Sequence, residues 1–238
     1  MIGGQRVLAI IPARSGSKRL PRKNLLPLGG KPLVEWSIRA GKDSHYVDEV
    51  LVSTDSDDII QIAKGLNVNV PFKRPAELSS DTASSVDVLI HAINFLKEIE
   101  KKSFDYVVLL QPTSPLRDSN DVDQALEFLV QKKADAVVSV CPMDHSPLWA
   151  NILPDNLSME NFIRKEVKGL RSQDLPTYYR INGAIYICKI ERLFDEATVF
   201  LSDRVFAFIM EPERSIDIDT DLDLSFAQLL VSREKNDP

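Results

Sequence analysis

Arg14, Lys18, Arg19, Arg22 and Lys23 crowd five cations into ten residues of one segment, IPARSGSKRLPRKN (11–24). A cluster this dense neutralises a multiply charged anion and the further charge that develops when it is attacked. Gly16 and the serines beside it are small enough for backbone N–H groups to approach a phosphate. The spacing matches neither G-x-x-x-x-G-K-S/T nor G-x-G-x-x-G, which excludes a Walker A loop and weakens a dinucleotide site. A second group stands at SIDIDTDLDL (215–224). There Asp217 and Asp219 alternate with Ile216 and Ile218, so an extended chain points both carboxylates to one face and the isoleucines to the core. Mg²⁺ suits such a pair, because it takes one or two carboxylates together with substrate phosphates and water. Thr220 and Asp223 make a capping-box pattern ahead of LDLSFAQLL, which assigns Asp221 and Asp223 to a helix start.

These groups need a frame, and the apolar runs supply one. VLAII (7–11), EVLVS (49–53), YVVLLQ (106–111), AVVSV (136–140), AIYIC (184–188) and VFAFI (205–209) read as strands buried on both faces of a mostly parallel sheet. Helical periods separate them. Pro32 suits a first helical position before LVEWSIRAGK, Val86, Leu89, Ile90, Ile93, Leu96 and Ile99 mark one apolar face, and DVDQALEFLVQ repeats the pattern. This β-α-β-α order predicts an α/β fold with a doubly wound sheet. The basic segment comes directly after the first strand, at the carboxyl edge where such sheets bind ligands. Gln111-Pro112-Thr113-Ser114-Pro115 ends another strand, and Arg180-Ile181-Asn182-Gly183 precedes one; each is also ordinary turn chemistry. Residues 142–176, with Pro142, Pro147, Pro154 and Pro176, break the alternation and predict a functional loop or an arm that packs on a partner. The last residues, SREKNDP, read as a frayed tail.

Composition narrows the partners. With 238 residues, 44% apolar and 27% charged, the chain suits one soluble globular domain. A net charge of -6 argues against a general nucleic-acid binder. The first apolar run is too short to span a membrane and lacks a signal-type cleavage site. Cys141 and Cys188 read as buried free thiols in a reducing, cytoplasmic setting. His45, His91 and His145 have no metal-ligand spacing.

The ordered set IPARSGSKRLPRKN, VSTD, RPAEL with SDTASS, LLQPTSPLR, NGAIYI and SIDIDTDLD resembles the CMP-sialate synthetases, the acylneuraminate cytidylyltransferases, over nearly the whole chain. Related Kdo enzymes share the first part but usually carry proline after the loop lysine, where this chain has Asn24. The resemblance implies a nucleotidyltransferase-like fold, a single domain over 1–238 and a dimerisation arm at 142–176. It implies attack by a nonulosonic acid's anomeric hydroxyl on the α-phosphorus of CTP, aided by Mg²⁺ or another divalent cation such as Mn²⁺. Arg14 and Lys23 then match the triphosphate and transition-state contacts, Lys18 a further phosphate contact, and Asn24, Arg74 and Ser85 the cytidine site. Gln111, Arg180, Asn182, Tyr186 and Phe200 match the sugar pocket. Asp217 and Asp219 match the metal carboxylates, with Asp219 the best single catalytic candidate. A homodimer in the cytoplasm, with no nucleic acid or membrane partner, completes the expectation.

Three positions depart from that pattern, all on the sugar side. Trp149 stands where a lysine can occur, Leu201 where a second pocket aromatic is expected, and Arg171 one place ahead of the usual arginine. Exchange of a cation for an indole favours an apolar substituent, so a deoxy, di-N-acylated acceptor such as legionaminate is expected alongside N-acetylneuraminate. Trp149 packing at a dimer contact explains the same residue. The alternatives are a Kdo or other sugar cytidylyltransferase, and a non-catalytic nucleotide-binding protein of this fold. A glycosyltransferase would usually carry its D-x-D metal motif at a mid-chain strand end, whereas the candidate pair Asp217 and Asp219 lies near the C-terminus.

Overall fold

Each of the six apolar runs becomes a strand in the computed structural model, which describes residues 1–234. The strands are β1 (Val7–Pro12), β2 (Glu49–Ser53), β3 (Tyr106–Leu109), β4 (Ala136–Pro142), β5 (Tyr179–Lys189) and β6 (Val205–Ile209). They form one sheet in the order β2-β1-β3-β5-β4-β6. β1 pairs in parallel with β2 and β3, and β4 in parallel with β6. β5 runs against both of its neighbours. The sheet is therefore mixed, with one reversed strand that the apolar runs do not reveal. β5 also begins five residues earlier than its apolar run, and β3 ends at Leu109 rather than 111.

Alternation along β1 explains the two layers. Val7, Ala9 and Ile11 face one core with residues of α1 (Leu33–Lys42), α2 (Asp57–Gly65) and α4 (Ser119–Lys132). Leu8 and Ile10 face the other, packed on α3 (Ser85–Glu98) and α5 (Ile190–Glu196). Helices thus cover both faces, as a doubly wound sheet requires. α6 (Asp221–Glu234) closes a third cluster, in which Ile218, Ala227 and Val231 meet Leu20, Leu28 and Leu33.

Several local expectations shift. Pro32 is the N-cap of α1, extended at φ -62° and ψ 148°, rather than its first helical residue. On α3 the buried stripe is Val88, Leu89, Ala92, Ile93 and Leu96, while Ile99 at its C-terminal cap is 65% exposed. β6 is an edge strand, so Phe206 and Ile209 are exposed instead of buried on both faces. Residues 215–220 form no strand, yet Ile218 is buried and Ile216 packs beside it, so the inward turn of the isoleucines holds without a ladder. Ser232 to Glu234 of the expected tail continue α6, and residues 235–238 lie outside the described residues. Between β4 and β5 the arm carries only three short 3₁₀ turns, Pro147–Trp149, Lys165–Val167 and Ser172–Asp174.

Candidate active site

The parallel strands β1, β2 and β3 all release their chains at one edge of the sheet. β2 lies on one side of β1 and β3 on the other, so a crevice opens between the loops after β1 and β3. A cavity of about 280 Å³ fills it. Six residues singled out from sequence line this one space: Arg14, Lys23, Asn24, Arg74, Ser85 and Gln111. They come from segments up to 97 residues apart.

The basic loop is held from below. Asp55, just past β2, accepts the Ser15 backbone N–H at 2.7 Å and its hydroxyl at 2.6 Å. Asn24 donates to the Arg14 carbonyl at 2.9 Å, closing the loop on itself. Arg22, at φ 55°, makes the turn that leads into Lys23. A Cβ on Gly16 would meet no atom within 4 Å, so its smallness is not demanded by protein packing.

Each cation of the loop is already matched to a carboxylate. Arg14 Nη1 lies 2.8 Å from Asp81, and Lys18 Nζ lies 2.7 Å from the same carboxylate. Lys23 Nζ and Arg19 Nη1 bind Asp219 at 2.9 and 2.7 Å. Arg22 Nη2 binds Asp58 at 2.6 Å. The lysine hydrogen bond, ahead of the charges, holds the Asp81 carboxyl below its usual range. Arg74 is buried, its Nη2 donating to the Ser53 carbonyl while Nε has no partner among the described residues. Burial lowers it to about 10, with Arg14 adding to that and Asp55 opposing it. It therefore stays charged at neutral pH.

Asp217 joins this cavity to a second group. Desolvation pushes its carboxyl up and the charge of Asp219 adds to this, while a hydrogen bond from Thr113 and the charges of Lys23 and Arg180 oppose it. Burial, then the charge of Asp217, raises the Tyr186 phenol. The Tyr186 ring meets Phe200 edge-on, with centroids 5.9 Å apart. Arg180 donates to the Ser215 carbonyl at 3.3 Å. Arg180, Tyr186, Phe200 and the two aspartates do not line the cavity itself; Asp217 stands beside its Gln111 end, across Gly183, and Asp219 beside its Lys23. Gly183, at φ +75°, sits where a Cβ would stand 2.9 Å from Gln111 Oε1 and 4.0 Å from Asp217 Oδ2.

Asn182 does not belong to that wall. It is 1% exposed, and its amide is fully engaged by the fold. Oδ1 accepts from the Ser139 hydroxyl at 2.5 Å and the Ala184 N–H at 3.2 Å, and Nδ2 donates to the Ser215 hydroxyl at 2.9 Å. It therefore supports the site from beneath. Leu201, expected in the sugar pocket, is 4% exposed in the core, so only Phe200 of that pair faces outward. Arg171 binds Asp174, three residues on, at 2.9 Å. Asp223 accepts from the backbone of Asp219 and Thr220, as its helix-start assignment requires.

Sequence reasoning passes over Asp55 and Asp81, although both lie inside the segments that carry the resemblance. A carboxylate beside a basic loop is the available signal. Arg117, Ser139 and Ser215 have none, because their importance comes from burial.

A crevice at the strand-order reversal, lined by arginine, lysine and amide side chains, defines an α/β protein built to hold a phosphorylated nucleotide. The chain belongs to the cytidylyltransferase family, whose model matches residues 8–233. It is similar to the CMP-N,N'-diacetyllegionaminic acid synthase of Legionella pneumophila, at 35% identity over 95% of this chain and 96% of the relative. The pseudaminic acid cytidylyltransferase of Campylobacter jejuni is also 35% identical, over 94% and 95%. In fold it matches a CMP-2-keto-3-deoxy-manno-octonic acid synthetase complexed with CTP, with a TM-score of 0.70 at 20% identity over 96% of this chain and 99% of the other.

The geometry makes two substitutions informative. Asp81→Asn frees Arg14 and Lys18, so CTP should bind about two- to fivefold more tightly in calorimetry at low salt. The gain should shrink as salt rises. Gly183→Ala forces both a left-handed alanine and a shift of Gln111. It should lower the melting temperature by a few degrees and reduce turnover about tenfold or more, with CTP affinity nearly unchanged.

Proposed function

We propose that the protein transfers CMP from CTP to the anomeric hydroxyl of a nonulosonic acid. The acceptor oxygen bonds to the α-phosphorus as the bond to the pyrophosphate oxygen breaks, and the hydroxyl proton leaves. The observation that carries this reading is the convergence of Arg14, Lys23 and Gln111 on one crevice, with Asp217 beside Gln111 across Gly183. In this reading Arg14 and Lys23 hold the triphosphate and stabilise its developing charge, with Lys18 at the rim. Asn24, Arg74 and Ser85 face the cytidine. Gln111, Arg180, Tyr186 and Phe200 face the acid sugar, and Asn182 fixes the strand beneath them. Phosphate oxygens take over from Asp81 and Asp219 as partners of the basic side chains.

Asp217 and Asp219 suit a divalent cation. They are two hard oxygen donors close enough for one charge to raise the other's pKa, and among the described residues no cluster of three metal-binding side chains competes. When bound, Mg²⁺ or Mn²⁺ would supply charge neutralisation at the phosphates and lower the proton affinity of the acceptor hydroxyl. In the absence of a nucleotide, Asp219 serves as counter-ion to Lys23 and Arg19.

For the acceptor we favour a deoxy, di-N-acylated acid of the legionaminate type. Trp149, half-buried where a cation can stand, supports it, whereas the core position of Leu201 removes one of its supports. We place the reaction in the cytoplasm: both cysteines are buried and free, and among the described residues no helix is long and apolar enough to cross a membrane. We also infer a homodimer joined through the 142–176 arm. Ile152, Leu157, Met159 and Leu170 are exposed there, Ile152 at 90%, an apolar set that a second copy would cover.

Pyrophosphate release tests the reading, with Mg²⁺, each of the four nucleoside triphosphates, and legionaminic, pseudaminic, N-acetylneuraminic and Kdo acids. The expected result is strict CTP dependence and the highest kcat/KM with legionaminic acid. Equal or better use of N-acetylneuraminate overturns the acceptor choice, and Kdo-only turnover overturns the class. Deleting the arm should leave a monomer by light scattering with little activity; a fully active monomer refutes the dimer.

A further inference from the structure

Arg117 is 1% exposed, and its guanidinium forms no ion pair among the described residues. Asp118 and Asp121, whose charges act on it, bind Arg214 instead, at 2.6 and 2.5 Å. Desolvation lowers its pKa to about 10, which still leaves it charged at neutral pH. A buried cation without a counter-ion is expensive to keep. Its contacts show what it holds. Nη2 donates to the Gln111 carbonyl at 3.0 Å and the Ser37 hydroxyl at 2.8 Å, and Nε donates to the Ala184 carbonyl at 3.3 Å. Nη1 has no partner among the described residues.

Both carbonyls belong to places where the sheet ladder has stopped. Gln111 lies two residues past the end of β3. Ala184 lies in an irregular stretch of β5: Val138 pairs with Tyr186, and Val140 with Ile181, so four residues of β5 face one of β4. Side chains satisfy the backbone of this bulge in place of the ladder. Ser139 accepts the Ile185 N–H, Asn182 accepts the Ala184 N–H, and Ser114 donates to the Asn182 carbonyl. Arg117 ties the bulge to the Gln111 carbonyl, and Ser37 donates to that carbonyl at 3.2 Å. The two pieces it joins bring Gln111 Oε1 against Gly183.

We propose that Arg117 is a positioning residue for the acceptor half of the site, its fork fixing the Gln111 backbone against the β5 bulge. It touches no substrate and acts through Gln111 and Gly183. This deepens, and rests on, the proposed transfer to a nonulosonic acid.

Arg117→Met keeps length and removes every donor, Arg117→Lys keeps charge without the fork, and Ser37→Ala removes the neighbouring bond. For Arg117→Met we expect kcat/KM for the acid sugar to fall about 10- to 100-fold while KM for CTP stays within about twofold. The lysine and alanine variants should fall between it and wild type. Hydrogen exchange should quicken in peptides covering 111–117 and 180–187 and stay unchanged in β1 and β2. The role is overturned if a folded variant keeps wild-type acceptor kinetics, if CTP affinity falls equally, or if exchange rises throughout the sheet. Should Arg117→Met not fold, the other two variants carry the same comparison. Failure of the transfer reading itself would appear in the wild-type enzyme, as no turnover of any nonulosonic acid, and exchange in the two segments would still decide what Arg117 does.

Discussion

The antiparallel course of β5 is the constraint on which the site depends. Parallel strands present only their carboxyl ends to one edge, so β1, β2 and β3 can contribute only the loops at their C-termini. Because β5 runs the other way, its beginning arrives at that same edge, and Arg180 to Gly183 reach the crevice from within the sheet. The bulge then displaces Gly183 from the ladder toward Gln111, and the missing backbone partners are replaced by Ser139, Asn182, Ser114 and Arg117. A bulge at such a point re-aims the chain at a cost in ladder bonds, and here buried polar side chains bond four of its backbone groups. The side of the site proposed for the acceptor is therefore held by side chains, where the side proposed for the nucleotide is held by strands.

Charge divides along a similar line. The protein is acidic as a whole, yet its loop after β1 is basic, and in the absence of a ligand that loop is neutralised by Asp81 on one flank and Asp219 on the other. These pairs are partly exposed, so each is weak and exchangeable. In the proposed reaction the carboxylates hold the basic side chains in place until phosphate oxygens, stronger partners for arginine, replace them. Arg74 and Arg117 differ in kind. Both are buried, both remain charged, and neither forms an ion pair among the described residues; they bind carbonyls and fix backbone.

Much of this is legible in sequence because hydrophobic burial leaves a linear trace. All six strands lie where β-branched runs stand, and the crevice comes from placing IPARSGSK after the first. Strand direction leaves no such trace: AIYIC reads the same whichever way it runs, so the reversal of β5 is invisible there. VFAFI looks doubly buried because composition does not distinguish an edge strand from a central one. Asn182 is expected in the sugar pocket because it matches that position of the family pattern, whereas here the bulge turns it inward. Arg117 hides at the end of LLQPTSPLR, since an arginine in a polar loop looks solvated until packing removes the water.

The two halves of the site also differ in how freely they can change. Arg14 and Gln111 each lie two residues past a central strand, β1 or β3, where a shift would disturb the ladder itself, and Lys23 stands in a 3₁₀ turn tied to Asp219. Of the residues proposed to face the acid sugar, Arg180 and Tyr186 belong to β5, whereas Phe200 lies outside the strands, and the 142–176 arm carries only 3₁₀ turns. Relatives named for a legionaminic acid and for a pseudaminic acid stand at the same 35% identity to this chain. Identity over the whole chain therefore carries little information about the acceptor, as expected if few positions decide it. Phe200 and the arm are the parts beside that site that can vary without repacking the sheet, and the buried fork of Arg117 gives them a fixed edge to vary against.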